Sequence, residues 1–499
     1  MEMNPDACHR ALTTRDSRFD GRLFVGVKTT GIYCRPICPA RTPKRENVLF
    51  FPTAAGAQAA GFRPCLRCRP ESSPDLGAWR GTSNTVARGL ALIEAGALDG
   101  GDLTALAERL GVGARQLRRL FRQHLGASPI AVAQTRRVLL AKQLIHETPL
   151  SMAQVALASG FSSVRRFNET FQTLYRRPPA ALRRGRAQVP AARGDWIRLT
   201  LPYCPPYDWE ALIDFLSRRA VAGVERVEAG AYCRAITLEG HTGLLAVRPG
   251  ARERLEVAIH FPRLALLPAI IARVRRLFDL SADPLAIGAH LARDPDLAPR
   301  VAARPGLRVP GAWDGFELAV RAILGQQVTV AAATALAGRL ASDFGARLPA
   351  DLAGLERGIT HAFPSPERLV HADLSTLPMP KVRSAALSSL ARAVATDASL
   401  FDPRGDPAPS VSRLTALAGV GAWTAQYIAM RALRDPDAFP AADIALQRAL
   451  ADPDGVRPSA AALDLRSQAW RPWRAYGALH LWTTPDLPTP DLLTAESPP

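Results

Sequence analysis

The spacing of apolar and polar positions changes along the 499 residues and divides the chain into segments. From residue 1 to about 75, short apolar runs such as Leu23-Phe24-Val25-Gly26-Val27 alternate with Cys-, Gly- and Pro-rich stretches, the pattern of short strands joined by turns. From 82 to about 185 the apolar positions recur with the helical period, and no proline intervenes before Pro129. Strand-like runs follow at Ile197–Leu201, Tyr232–Leu238 and Leu244–Val247, with helix-like runs around 209–220 and 264–278. From about 281 onward the period is helical, with Pro and Gly as punctuation. ESSPD (71–75) and QVPAARGD (188–195) read as linkers, and the tail TTPDLPTPDLLTAESPP as a frayed end.

The helical segment contains an internal duplication. A helix over Leu103–Val112 ends at a Gly turn and is followed by a second at Arg115–Arg122. Leu106, Ala107, Leu110, Leu117, Leu120 and Phe121 fall on one face, while Gln116, Arg118, Arg119 and Arg122 fall on the other. About 50 residues later Met152–Phe161 and Ser162–Phe171 repeat the pattern, with Phe167 and Phe171 inward and Ser163, Arg165, Arg166 and Asn168 outward. A long helix, Ile130–His146, joins the two pairs. This is helix-turn-helix spacing, twice.

Charge sharpens the picture. The chain carries a net charge of +18, but unevenly: residues 1–190 hold 29 Lys+Arg against 13 Asp+Glu, and the remainder holds 34 against 32. The front part is therefore the expected electrostatic holder of DNA, since phosphate contacts release counterions. No apolar run reaches the length that spans a bilayer, and the start MEMNPDACHR lacks the pattern of a secretory signal. The expectation is a cytoplasmic, nucleoid-associated bacterial protein that binds no membrane.

Four of the seven cysteines cluster as Cys34-x3-Cys38 and Cys65-x2-Cys68. Each close pair can hold one metal ion from a single turn, and the gap returns the second pair as a loop. Spacing alone favours a plain structural zinc staple, since closed four-cysteine sites are far more often structural than reactive. The residues around it, TTGIYCRPICPARTPKRENVLFF (29–51) and AAGFRPCLRCRP (59–70), closely resemble the N-terminal domain of Ada. That resemblance implies one Zn²⁺ per chain held by Cys34, Cys38, Cys65 and Cys68, with Cys34 also accepting a methyl group irreversibly from a methylated DNA phosphotriester. It makes Thr30 and Arg41 candidate DNA contacts. The two helical pairs joined by a long helix resemble the AraC-type DNA-binding domain, which follows the zinc domain in Ada; Arg118, Arg119, Arg165 and Arg166 are its candidate DNA contacts. Ala7-Cys8-His9-Arg10 only superficially resembles the Pro-Cys-His-Arg site of Ada's second methyltransferase, and Cys8 is expected to be structural.

The rear half has its own signature. Leu417-Ala-Gly-Val-Gly-Ala-Trp-Thr-Ala425 has the form of a helix-hairpin-helix whose Gly419-Val-Gly421 turn lets backbone N–H groups approach a phosphate. Asp443 follows in FPAADIALQRAL. With PPYDWEALIDFLSRRAVAGVE (205–225), ARPGLRVPGAWDGFELAVRAILGQQVTVAAA (303–333) and WRPWRAYGALHLW (470–482), this resembles the AlkA branch of the helix-hairpin-helix DNA glycosylases over about 280 residues. The resemblance implies Asp443 as the catalytic carboxylate, Trp423, Tyr427, Trp482 and Phe215 as rings that stack on a flipped alkylated purine, and Gly419, Gly421, Gln326 and Gln327 as DNA contacts. Gln327 stands where the AlkA pattern carries an apolar wedge. Trp423 stands where lyase-active relatives carry a Schiff-base lysine, so no lyase step is expected.

The sequence thus predicts a multidomain, mainly α protein with α+β parts: a four-cysteine zinc domain at 1–75, a double helix-turn-helix bundle at 80–187, a small α/β domain at 196–280 and a helical glycosylase core at 281–490. The expected function is hydrolytic excision of 3-methyladenine-type bases, coupled to methyl acceptance at Cys34 and to transcription regulation. The expected partners are double-stranded DNA and RNA polymerase, with the chain a monomer. The alternative is a damage-responsive regulator whose glycosylase half only binds DNA.

Overall fold

The computed structural model describes residues 4–74, 84–183, 196–402, 407–452 and 454–483. The chain forms two compact units, one of residues 1–203, 236–275 and 280–282, the other of residues 204–235, 276–279 and 283–499. The sequence 188–195 and the tail from 484 onward lie outside the described residues.

In the first unit, strands β1 (Phe24–Val27), β2 (Ile32–Cys34), β3 (Val48–Phe51) and β4 (Arg63–Pro64) form a sheet in the order β3-β1-β2-β4. β1 is antiparallel to both β2 and β3, whereas β2 and β4 run parallel, with Ile32 opposite Arg63 and Tyr33 opposite Pro64. Cys8 packs with Leu12, Leu23, Val25 and Val48 under this sheet, and burial pushes its thiol pKa up. The stretch 71–74 is not a linker. Residues Pro70–Ser72 form a single 3₁₀ turn with Glu71 and Ser72 buried.

The helical part of this unit repeats one motif. Helices Leu103–Arg109 and Ala114–Leu125 are joined through Gly111 (φ 69°), and helices Met152–Ala158 and Val164–Tyr175 through Gly160 (φ 86°). These left-handed positions are where glycine is favoured. Caps fix the starts: Asp102 accepts from the Ala105 N–H, Ser163 from the Arg166 N–H, and Ser151 with Gln154 forms a capping box. Between the two pairs runs one 19-residue helix, Pro129–Glu147, here called the connecting helix. Leu106, Ala107, Leu110, Leu117 and Phe121 form the core of the first pair with Leu120 packed beside them, and Phe167 stacks on Phe161 and Phe171 in the second.

The stretch 196–280 supplies β5 (Ile197–Pro202), the helix Trp209–Ser217, β6 (Glu225–Glu228), β7 (Ala231–Leu238), β8 (His241–Gly250), β9 (Arg254–His260) and the helix Leu267–Leu277. β9 pairs antiparallel with β5 and with β8 in the first unit, and β6 pairs antiparallel with the first half of β7 in the second. β6 (ERVE) carries no clean alternation, whereas β9 (RLEVAIH) does alternate, with Leu255, Val257 and Ile259 buried; the sequence reading includes neither.

The second unit is helical around one core. Helix Gly315–Leu324 is buried at eight of its ten positions and meets Leu387, Leu390, Ala425 and Ile428 from helices Lys381–Thr396 and Ala422–Ile428. Four of its buried charges pair with one another: Arg234 and Arg321 face Glu225 and Glu317, and the Tyr232 hydroxyl donates to Glu225. Asp279 accepts from the Tyr476 hydroxyl at 2.7 Å and from Arg434, which anchors the C-terminal helix Arg474–Thr483. Among the described residues no helix is long and apolar enough to cross a membrane.

Phe121 is fully buried, and its ring lies 2.8 Å from where a Cβ on Gly89 would stand. Phe121→Ala is expected to destabilise the helical bundle by about 3–5 kcal/mol. Urea-dependent hydrogen exchange over 103–145 measures this, and protection should fall there while 315–324 is unchanged.

Candidate active site and four-cysteine centre

The hairpin between helices Pro407–Thr415 and Ala422–Ile428 turns at Gly419 (φ 83°), where a Cβ would stand 2.7 Å from that of Ala386. Gly421, the residue before the second helix, faces open space. Gln326 is engaged within the protein. Its side-chain amide donates to the Gly419 carbonyl at 2.8 Å and to Thr424 Oγ1 at 3.1 Å, and Arg383 donates to its backbone carbonyl. Gln326 therefore holds the hairpin against the 325–329 loop. Gln327, the next residue, is exposed with φ 57°. Val328 and Val330 beside it are 38% and 42% exposed, and both line the cavity described next.

Trp423, Tyr427 and Arg431 recur at i, i+4 and i+8 along the hairpin's second helix and the π-helical turn Ala429–Leu433 that continues it. Trp423 and Tyr427 stack at 5.3 Å between centroids with planes 8° apart, and Trp482, from the C-terminal helix, meets Tyr427 edge-on at 6.5 Å. Asp443 is the N-cap of helix Ile444–Ala449. One carboxylate oxygen accepts from the Ala445 and Leu446 N–H groups at 2.9 and 3.0 Å and from Trp482 Nε1 at 3.1 Å. The other accepts from Trp423 Nε1 at 2.8 Å. N-cap and candidate catalyst are thus one residue. Asp443, Trp423, Tyr427, Trp482 and Phe215 all line one cavity of about 710 Å³.

Two arginines on that wall were missed in the sequence. The Arg219 guanidinium lies 3.8 Å from the Phe215 ring centroid and that of Arg431 4.7 Å. Arg431 is buried and donates to the Pro310 and Gly311 carbonyls and, at 2.5 Å, to the Tyr427 hydroxyl. Among the described residues neither pairs with a carboxylate. Both guanidinium groups thus engage the Phe215 ring, and that of Arg431 also lies 5.3 Å from the Tyr427 ring centroid. The arginines were legible as i+4 neighbours of Phe215 and Tyr427, but only the fold places both on one wall. Burial alone would raise the Tyr427 phenol pKa; the charges of Arg431 and Arg219 outweigh it and pull the phenol below its usual value.

In the first unit, Cys34 ends β2 and Cys65 follows β4. The parallel register of these strands continues into a bond from the Cys65 N–H to the Tyr33 carbonyl at 3.0 Å, which sets the two cysteines side by side. Cys38 and Cys68 sit on the turns that follow, and all four Sγ atoms lie within 4.8 Å of one another. Four sulfurs bound to one cation at roughly 2.3 Å would lie about 3.8 Å apart, so the donor set fits a tetrahedral soft metal ion. The Arg35 N–H points at Cys68 Sγ and the Arg67 N–H at Cys65 Sγ, at 3.4 and 3.3 Å. Cys38, Cys65 and Cys68 are buried, whereas Cys34 is partly exposed. Thr30 and Arg41 are exposed, as are Arg118, Arg119, Arg165 and Arg166; Arg165 pairs with Glu169 at 2.8 Å.

Comparison with known proteins follows these features closely. Residues 7–71 match the family described as the metal binding domain of Ada, 106–185 a helix-turn-helix domain, 198–314 the AlkA N-terminal domain and 320–475 the HhH-GPD superfamily of base excision DNA repair proteins. The fold and the site thus define a helix-hairpin-helix base excision DNA repair protein fused to an Ada-type metal-binding and helix-turn-helix regulator. The chain is 42% identical, over 97% of both chains, to the probable bifunctional transcriptional activator/DNA repair enzyme AlkA of Mycobacterium tuberculosis (strain H37Rv). It belongs to the family of bifunctional transcriptional activator/DNA repair enzymes AlkA. Over 57% of its length it is 36% identical to 96% of DNA-3-methyladenine glycosylase 2 of Escherichia coli K12. It shares its fold with a 3-methyladenine DNA-glycosylase from Archaeoglobus fulgidus, at a TM-score of 0.51 and 20% identity, over 57% of this chain and 97% of that one.

Because Arg431 holds the Tyr427 phenol below its ordinary pKa, Arg431→Met should move that titration upward. The tyrosine ring-carbon NMR signal followed from pH 8 to 12 measures the shift; an unmoved curve would show that Arg431 does not set it.

Proposed function

We propose that this chain excises alkylated purines of the 3-methyladenine type by hydrolysis, without a lyase step, and accepts phosphotriester methyl groups at Cys34. The observation that carries the first part is the Asp443 carboxylate held between two indole N–H groups in a cavity walled by Trp423, Tyr427 and Trp482. A base must leave the stack to enter such a cavity. The electron-rich Trp423–Tyr427 stack favours a cationic alkylpurine, by about 0.5–2 kcal/mol per contact. Cleavage of the N-glycosidic bond leaves its electron pair on the departing purine and builds positive charge on the sugar. The Asp443 carboxylate stabilises that charge and orients the water that adds to C1′. With Trp423 where a lysine amine would be needed, no Schiff base forms. Gln327 fills the vacated position by hydrogen bonding, with Val328 beside it as apolar surface.

For the second part, the support is that Cys34 is the one partly exposed member of an otherwise buried four-cysteine cluster. We assign the cation to Zn²⁺, which when bound keeps its cysteine ligands as thiolates at neutral pH. The Cys34 sulfur attacks the methyl carbon of a neutral phosphotriester. The S–C bond forms, the C–O bond breaks, and its electron pair remains on the phosphate as a diester anion. One negative charge leaves the cluster, so its repulsion of DNA falls. Affinity then rises, and the damage becomes a signal to the helix-turn-helix pair, whose Arg118, Arg119, Arg165 and Arg166 face outward. RNA polymerase is the partner such an activator requires.

Asp443→Asn keeps the N-cap and one acceptor toward the indoles but removes the charge. Release of free base from methylated duplex DNA is expected to fall roughly 100- to 1,000-fold. Equal rates in both proteins would remove Asp443 as the catalyst; no release by either would favour a regulator that only binds DNA. Incubation with methylphosphotriester DNA should add one methyl group to Cys34 by mass spectrometry and none in Cys34→Ser. An unmodified wild-type Cys34 leaves only a structural metal site.

A further inference from the structure

Lys142 lies in the connecting helix, between the two helix-turn-helix pairs and 77 positions from Cys65. It is fully buried. Its ammonium donates to the Cys65 backbone carbonyl at 2.8 Å and to Glu71 Oε2 at 2.8 Å, and the Glu71 side chain is only 1% exposed. A buried ammonium is costly unless it is paired and hydrogen-bonded, and a methionine would fill the same space without a charge. Here the carbonyl it binds belongs to one of the four clustered cysteines, and that bond fixes the plane of the peptide that leads into the Cys65–Cys68 turn. The contact is extended by Arg69, which donates to Glu71 at 3.0 Å and to Glu147, the last residue of the connecting helix, at 3.2 Å. A second tie runs from Thr53 Oγ1 to the Leu125 carbonyl at 2.7 Å. The metal-binding part is thus fastened to the helical bundle by polar bonds at three points, buried at Lys142 and part-buried at Arg69 and Thr53.

We propose that Lys142 is a positioning residue of the four-cysteine centre, supplied by the DNA-binding bundle. Through its bond to the Cys65 carbonyl it orients the Cys65–Cys68 turn, with Glu71 holding the ammonium in place. Metal binding and the order of the connecting helix are consequently linked, and by reciprocity each stabilises the other. This rests on the proposed metal site but not on methyl transfer. It gives the methyl-acceptor centre a direct mechanical route to both DNA-reading helices, in addition to the change in net charge.

Removing Lys142 alone would leave the buried Glu71 carboxylate with only the part-exposed Arg69 as its cation, so the variant to use is Lys142→Met with Glu71→Gln, which removes both charges. In the full-length chain, Zn²⁺ affinity measured by competition with a chromophoric chelator is expected to weaken about 10- to 100-fold, with a shifted thiolate-to-metal band when Co²⁺ is the probe. In the wild type, Zn²⁺ removal should raise hydrogen exchange across 138–147 by more than across 164–175, and the double variant should lose that dependence. Zn²⁺ affinity within twofold of wild type overturns the assignment. So does wild-type exchange at 138–147 that ignores Zn²⁺, a readout that needs no variant to fold. A chain that shows this linkage but takes up no methyl group would sink the acceptor role of Cys34 and leave the role of Lys142 standing.

Discussion

The Asp443 carboxylate accepts four hydrogen bonds, two from backbone N–H groups at the start of its own helix and two from the indoles of Trp423 and Trp482. That arrangement ties Trp423 and Trp482 to one point on the cavity wall. A carboxylate held by four donors is fixed in place, and the catalytic role proposed for it rests on that preorganisation. The same bonds fix the ring planes: Trp423 can stack on Tyr427 because its N–H is committed to Asp443. Arg431, reaching the Tyr427 hydroxyl and two backbone carbonyls, closes the set from behind.

The two guanidinium groups beside Phe215 add a second constraint on the cavity. An aromatic box alone would favour any cation. Both guanidinium groups lie over the Phe215 ring, and Arg431 also lies 5.3 Å from the Tyr427 ring centroid, so positive charge already occupies part of the aromatic lining.

The four-cysteine centre follows a related logic in the first unit. The parallel pairing of β2 with β4 brings Cys34 beside Cys65 across a long loop, and the buried ion pairs around Glu71 join that sheet to the connecting helix. Burying Lys142 and Glu71 contributes little net stability. With the part-exposed Arg69, the pair ties the four-cysteine part to the connecting helix in one register.

By itself the sequence determined the succession of parts. Helical period, Gly turns at 111 and 160, the paired cysteines and the Gly-Val-Gly hairpin are local patterns, and local backbone preference and side-chain spacing act within a few residues. The candidate ligands and rings were legible for the same reason, each within a short motif. Tertiary structure alone decided what lies far apart in sequence: that residues 71–74 are a buried turn, that Gln326 braces the hairpin, that Arg219 joins Arg431, and that Lys142 reaches Cys65. The short strand 225–228 escaped because its pairing partner, not its own period, makes it a strand, whereas 254–260 was legible by its own alternation. In the other cases the deciding contact spans tens to hundreds of residues. Its free energy exists only once packing has excluded water from both partners, so no pattern in either segment alone records it.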